Sequence, residues 1–60
     1  MQQELLRFID VRKAVKLSRA TIFRLERDGK FPRSIKAGGK RLWVEQEVRA
    51  WVAARIAERG

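Results

Sequence analysis

The chain has 60 residues, no cysteine, no histidine and a formal charge of +8. Those absences exclude disulfides, thiol chemistry and serine–histidine or cysteine–histidine catalysis, and a zinc site would have to be all carboxylate, which zinc disfavours. A chain this short buries only about 60% of its unfolded surface, so one small domain spanning 1–60 is expected, with neither enzymatic activity nor a metal or cofactor.

No apolar run approaches the ~18 residues of a membrane span. Met1-Gln2-Gln3-Glu4-Leu5-Leu6 lacks the basic start and apolar segment of a secretory signal. A cytoplasmic, nucleoid-associated location with no membrane contact is the expectation.

Leu5 to Ile9 is a short apolar segment, suited to a strand or an extended entry. Asp10 then precedes Val11, Ala14 and Val15 at helical spacing. A carboxylate there can accept from the free amides of a first turn, so Asp10 is expected as N-cap of a helix over 11–16.

The charge is a block. Residues 12 to 41 hold eleven of the fifteen Lys and Arg and only two acids, Glu26 and Asp28, a net +9. A basic face concentrates near a polyanion because each neutralised phosphate releases condensed counterions.

Within the block, Ser18 predicts a second helix over about 19–28, its hydroxyl capping a free amide. Gly29 closes that helix, since glycine tolerates the left-handed conformation, and Pro32 blocks continuation. Little more than Leu17 separates the two helices, which describes a helix-turn-helix. The 100° step per residue sets Ser18, Ile22, Leu25 and Gly29 on a buried side. Arg19, Ala20, Phe23, Arg24 and Arg27 lie on the other, where acids are almost lacking. A merely solvated charged face is the bland alternative.

Two β-prone runs flank Gly38-Gly39, a pair suited to positive φ in a two-residue hairpin turn. Pairing about that turn sets Ile35 opposite Leu42, Lys36 opposite Arg41 and Ala37 opposite Lys40. Like charges placed opposite one another destabilise a hairpin, which suggests an anionic partner. A basic edge that resists aggregation is the alternative.

A last helix is expected from about Glu45 to Arg59, with Val48, Trp51, Val52 and Ile56 as its apolar stripe and Arg49, Ala53 and Glu58 pointing away. Glu45 and Glu47 suit the helix dipole rather than catalysis. Trp51 is expected in the core, and Trp43 buried against this helix. The fold class is therefore α+β, mostly α: a small winged helix-turn-helix with a two-stranded β wing and a C-terminal helix.

Leu17-Ser18-Arg19-Ala20-Thr21-Ile22-Phe23-Arg24-Leu25, Asp28-Gly29-Lys30-Phe31-Pro32, Gly38-Gly39-Lys40-Arg41, Trp43 and Glu47-Val48-Arg49-Ala50-Trp51-Val52 occur in that order. Together they resemble the AlpA family of phage-type transcriptional regulators, within the wider MerR-like and excisionase-like winged-helix group. The resemblance spans residues 5 to about 56. It departs in lacking the Thr-Gly that often ends helix one, in having Phe23 where Tyr is usual, and in opening the last helix with Glu45-Gln46 rather than a Ser cap.

The resemblance implies a DNA-binding domain whose second helix enters the major groove while the glycine-tipped hairpin follows the backbone or minor groove. It assigns Ser18, Arg19, Thr21, Phe23 and Arg24 to the helix contact and Lys36, Lys40 and Arg41 to the wing. Arg19 and Arg24 are expected to read base edges, because Arg grips guanine O6 and N7 with two parallel bonds. Arg27, Lys30 and Lys36 are expected on phosphates. Gly38-Gly39 allows close backbone approach.

The expected partner is double-stranded DNA, with an integrase or RNA polymerase as candidate protein partners. Regulation of prophage or mobile-element genes is the leading expectation, by a monomer that gains affinity cooperatively on neighbouring sites. The alternative is an excisionase, or recombination directionality factor, that bends attachment-site DNA and recruits an integrase. A basic interaction module for RNA or an acidic protein is the third reading.

Overall fold

A computed structural model describes residues 4–59; Met1 to Gln3, at the N-terminus read above as lacking a signal, and Gly60 lie outside the described residues. The order is β1 (Leu5–Arg7), α1 (Phe8–Val15), α2 (Arg19–Arg27), β2 (Ile35–Ala37), β3 (Lys40–Val44) and α3 (Glu45–Glu58). The expected winged helix-turn-helix is present.

Helix α1 begins at Phe8, earlier than Asp10 suggested, with Arg7 as its N-cap residue. The Asp10 carboxylate still serves a free amide, but from inside the first turn: it accepts from the Arg7 N–H at 3.1 Å. An acid is favourable at either place, accepting from an amide ahead as N-cap or from the N-cap amide behind as third residue, so the side chain alone does not fix the boundary. The helix stops at Val15, and Lys16 takes a left-handed conformation, φ 60°, with its N–H on the Arg12 carbonyl at 2.8 Å.

Helix α2 follows its caps closely. The Ser18 hydroxyl accepts the Thr21 N–H at 3.3 Å and donates to Thr21 Oγ1 at 2.9 Å. At the far end Gly29 has φ 73°. Its N–H reaches the Glu26 carbonyl at 3.1 Å, and the Lys30 N–H reaches the Leu25 carbonyl at 2.8 Å. Those paired bonds form a Schellman ending.

The hairpin pairs as expected: Ile35 with Leu42, Lys36 with Arg41, Ala37 with Lys40. Gly38 and Gly39 both have positive φ, 57° and 78°, as a type I′ turn requires. The wing is not a separate two-stranded ribbon, however. β3 is the central strand of three, in the order β1-β3-β2, with Leu5 opposite Val44 and Arg7 opposite Leu42. The ladder runs directly into α3, whose first free amide, Glu45 N–H, is taken by the Glu4 carbonyl at 2.9 Å.

The core is Val11, Ile22, Phe31, Trp43 and Val48, drawn from both sides of the wing. Each fully buried apolar side chain contributes about 1.5–3 kcal/mol. Trp43 is 0% exposed, as expected. It clusters with Val48 of α3, but its aromatic neighbours are Phe8 and Phe23, at 6.1 and 6.4 Å. Its indole N–H finds no acceptor among the described residues.

Trp51 is half-buried rather than fully in the core. It meets Phe31 edge-on at 4.9 Å, and its indole N–H donates to the Lys30 carbonyl at 2.8 Å. Along the expected stripe of α3, Val48 is buried and Val52 half-buried, while Ile56 is 54% exposed. From Ala53 onward every described residue is exposed, because the helix runs past the body it packs on.

Candidate nucleic-acid interface

Antiparallel pairing places Lys36 opposite Arg41 on the hairpin. Alternation along β3 puts Arg41 on the same sheet face as Trp43. That face meets α1 and α2, so the wing and the second helix form two walls of one concave cleft.

Seven cationic side chains line this cleft: Arg7, Arg19, Arg27, Arg33, Lys36, Lys40 and Arg41. Phe8, Phe23, Ser34, Gly39 and Trp43 complete it, and Glu26 is its one carboxylate. A concave surface lined by one sign of charge raises the local concentration of the opposite sign.

The base of the cleft is aromatic. Phe8 and Phe23 stack with ring centroids 5.6 Å apart. The Arg19 guanidinium lies 4.9 Å from the Phe8 centroid and 5.4 Å from that of Phe23. Arg41 lies 5.0 Å from the Phe23 centroid. Each such contact is attractive and removes freedom from a long side chain.

Phe23 thus differs from its expected place on the exposed face. It is half-buried, because α1 brings Phe8 alongside it. Arg19, Ala20, Arg24 and Arg27 are exposed and Ile22 and Leu25 turn inward, as the helical spacing predicts, whereas Ser18 and Gly29, expected on the buried side, are exposed at the two ends of the helix.

The cleft brings together Arg19, Phe23, Arg27, Lys36, Gly39, Lys40 and Arg41 from the sequence-based set. It does not gather Ser18, Thr21, Arg24, Lys30 or Gly38. Ser18 lines a separate shallow groove with Arg12, Lys13 and Lys16, and it and Thr21 are engaged with each other at the helix start. Arg24 lies 140° around the helix from Arg19, at 100° per residue, which explains its absence from the same wall. Lys30 and Gly38 are exposed outside the cleft.

Two lining cations, Arg7 and Arg33, were missed by sequence reasoning. Arg33 carried a usable signal, since it directly follows the proline that turns the chain toward the wing. Arg7 carried none: it reaches the cleft only because β1 pairs with β3.

Ion pairing within the cleft is sparse. Arg41 Nη1 lies 3.1 Å from Glu26 Oε1. Arg27 Nε lies 3.5 Å from Asp28, with the Arg27 side chain 74% exposed. Such exposed pairs are worth little. Arg19, Arg33, Lys36 and Lys40 pair with none of the described carboxylates. Among the described residues no cluster of His, Cys, Asp or Glu is arranged to hold a metal ion, and no helix is long and apolar enough to cross a membrane.

The chain matches the family described as prophage CP4-57 regulatory protein (AlpA) over residues 4–56. It is similar to the uncharacterized protein ORF88 of Enterobacteria phage P4, with 46% identity over 59 residues, covering 97% of this chain and 67% of that protein. No solved structure gives a significant match.

Proposed function

The chain belongs to the AlpA family of phage-related regulatory DNA-binding proteins, and from that premise we propose that it recognises specific sequences in double-stranded DNA and regulates prophage or mobile-element genes. One domain does this work. Helix α2 enters the major groove, and the β2–β3 wing follows the adjacent backbone or minor groove.

The observation that carries this reading is the cleft itself: seven cations against one carboxylate, between a capped helix and a glycine-tipped hairpin. Arg19 reads a base edge from the cleft, where a bidentate bond to guanine discriminates, and Arg24, about 140° around α2, makes its contact outside the cleft. Arg27, Lys30 and Lys36 hold phosphates and set register, joined by Arg7 and Arg33. Ser18 and Thr21 support the start of the reading helix, and Phe23 seats Arg19. Lys40 and Arg41 flank the tip at Gly38-Gly39, where the backbone can approach a sugar–phosphate chain closely.

Selection of bound sequences from a random duplex pool, followed by salt titration, tests the reading. A recovered consensus and a log–log slope of about −3 or steeper are expected for several simultaneous phosphate contacts. Binding without sequence preference, or a much shallower slope, would overturn it.

A further inference from the structure

Glu26 is the lone carboxylate lining a cationic cleft, and both its oxygens are engaged. Oε2 accepts the backbone N–H of Ser34, and Oε1 accepts from Arg41 Nη1 at 3.1 Å. The Glu26 side chain is 12% exposed, against 44% for Arg41. The Arg41 guanidinium is further held over the Phe23 ring. One side chain of α2 therefore ties down both the connector before the wing and β3, the central strand of the sheet.

Sequence-independent affinity grows with every cation free to displace a counterion from a phosphate. Lys36 and Lys40, with neither a carboxylate partner nor a ring contact among the described residues, have that freedom. Arg41 does not: a phosphate could claim it only by displacing a charge-assisted hydrogen bond and a ring contact together.

We propose that Glu26 is a specificity-determining positioning residue. It withholds Arg41 from phosphate and so limits sequence-independent binding. It also fixes the wing against α2, so that the wing lysines meet the backbone only when the helix is seated in its groove. This rests on the DNA-binding reading above.

The test compares a selected duplex with its scrambled counterpart across a salt series, for the wild type, E26Q and the double variant E26Q/R41Q. Glutamine keeps the volume and an acceptor for the Ser34 N–H but loses the charge that holds Arg41. For E26Q the scrambled duplex should bind with a log–log slope steeper by about 0.9, one phosphate's worth. That corresponds to roughly eightfold tighter binding at 0.1 M salt, vanishing toward 1 M. The affinity ratio between the two duplexes should shrink. In E26Q/R41Q the slope should return to the wild-type value.

An unchanged slope and ratio in E26Q would overturn the proposal. So would a steepening that survives in E26Q/R41Q, since that would be a general effect of removing an anion. If E26Q loses its native circular dichroism, R41Q alone supplies the readout: an Arg41 withheld from phosphate leaves the scrambled-duplex slope unchanged when removed, and a slope shallower by about 0.9 would overturn the proposal. A wild-type protein that does not distinguish the two duplexes would instead sink the DNA-reading assignment, and the role of Glu26 with it.

Discussion

The rings of Phe8 and Phe23 lie within 7° of parallel, one from the start of α1 and one from the middle of α2. This stack joins the two helices beneath Arg19. Phe8→Ala should cost about 3 kcal/mol, at the low end for aromatic truncation because Phe8 is only half-buried. Phe8→Leu should cost less than half of that, since most of the apolar volume is kept. Urea denaturation followed by circular dichroism measures both.

Trp51 offers a cleaner deletion. Trp51→Phe keeps a ring against Phe31 but leaves the Lys30 carbonyl without its 2.8 Å donor. The expected loss is about 1 kcal/mol, or a fall in melting temperature of about 4–8 °C for a domain of this size. The same variant makes Trp43 the sole indole. Because Trp43 is fully buried, the remaining emission should be blue-shifted and resist iodide quenching.

Two positions with left-handed backbone should respond in opposite directions. Lys16 bears a side chain at φ 60°, a conformation that disfavours L-residues by about 1–2 kcal/mol. Lys16→Gly removes that strain, offset by about 0.5–1 kcal/mol of unfolded-chain entropy, so the melting temperature should rise by a few degrees. Gly29→Ala should lower it. An added methyl there meets nothing within 4 Å, so the loss would be strain at φ 73° rather than a clash.

Arg19 and Arg33 should separate base reading from phosphate holding. Arg19→Ala should cost about 1–3 kcal/mol on the preferred sequence and relax preference at one base. Arg33→Ala should weaken preferred and scrambled duplexes alike and reduce the salt slope by about 1. Fluorescence anisotropy with labelled duplexes over a salt series reads both. A sequence-selective defect at Arg33 would reverse the assignment.

What was legible in the chain was local. Ser18 and Thr21 are three residues apart, so a cap could be read directly, as could the Schellman ending around Gly29. The register of Ile35 with Leu42 followed from the two glycines between the strands. Asp10 is legible as a partner of first-turn amides but not its position, because an acid suits both the N-cap and the third residue, bonding amides on opposite sides of it.

What was not legible depended on distant parts of the chain meeting. Helical spacing gave the direction of Phe23 but not the ring of Phe8 that covers it. Leu5 opposite Val44 has no short-range signal, so the sequence leaves Leu5 to Ile9 open between strand and entry segment and gives no sign that Arg7 reaches the cleft. Glu26 enters the sequence only as one of two acids in the basic block; its partner Arg41 is fifteen positions away and is delivered by the folded wing.

The middle strand of the sheet is synthesised after both of its neighbours. Helix α2 is complete as sequence at Arg27, yet the indole at 43 and the valine at 48 that cluster with its Ile22 come much later in the chain. While the ribosome is still translating the turn at 38–39, neither edge strand has its partner and the arginines have no scaffold. The fold therefore needs residues 40–48, and a chain stopped at the 38–39 turn should be an unstructured basic peptide rather than a weakened version of the folded domain.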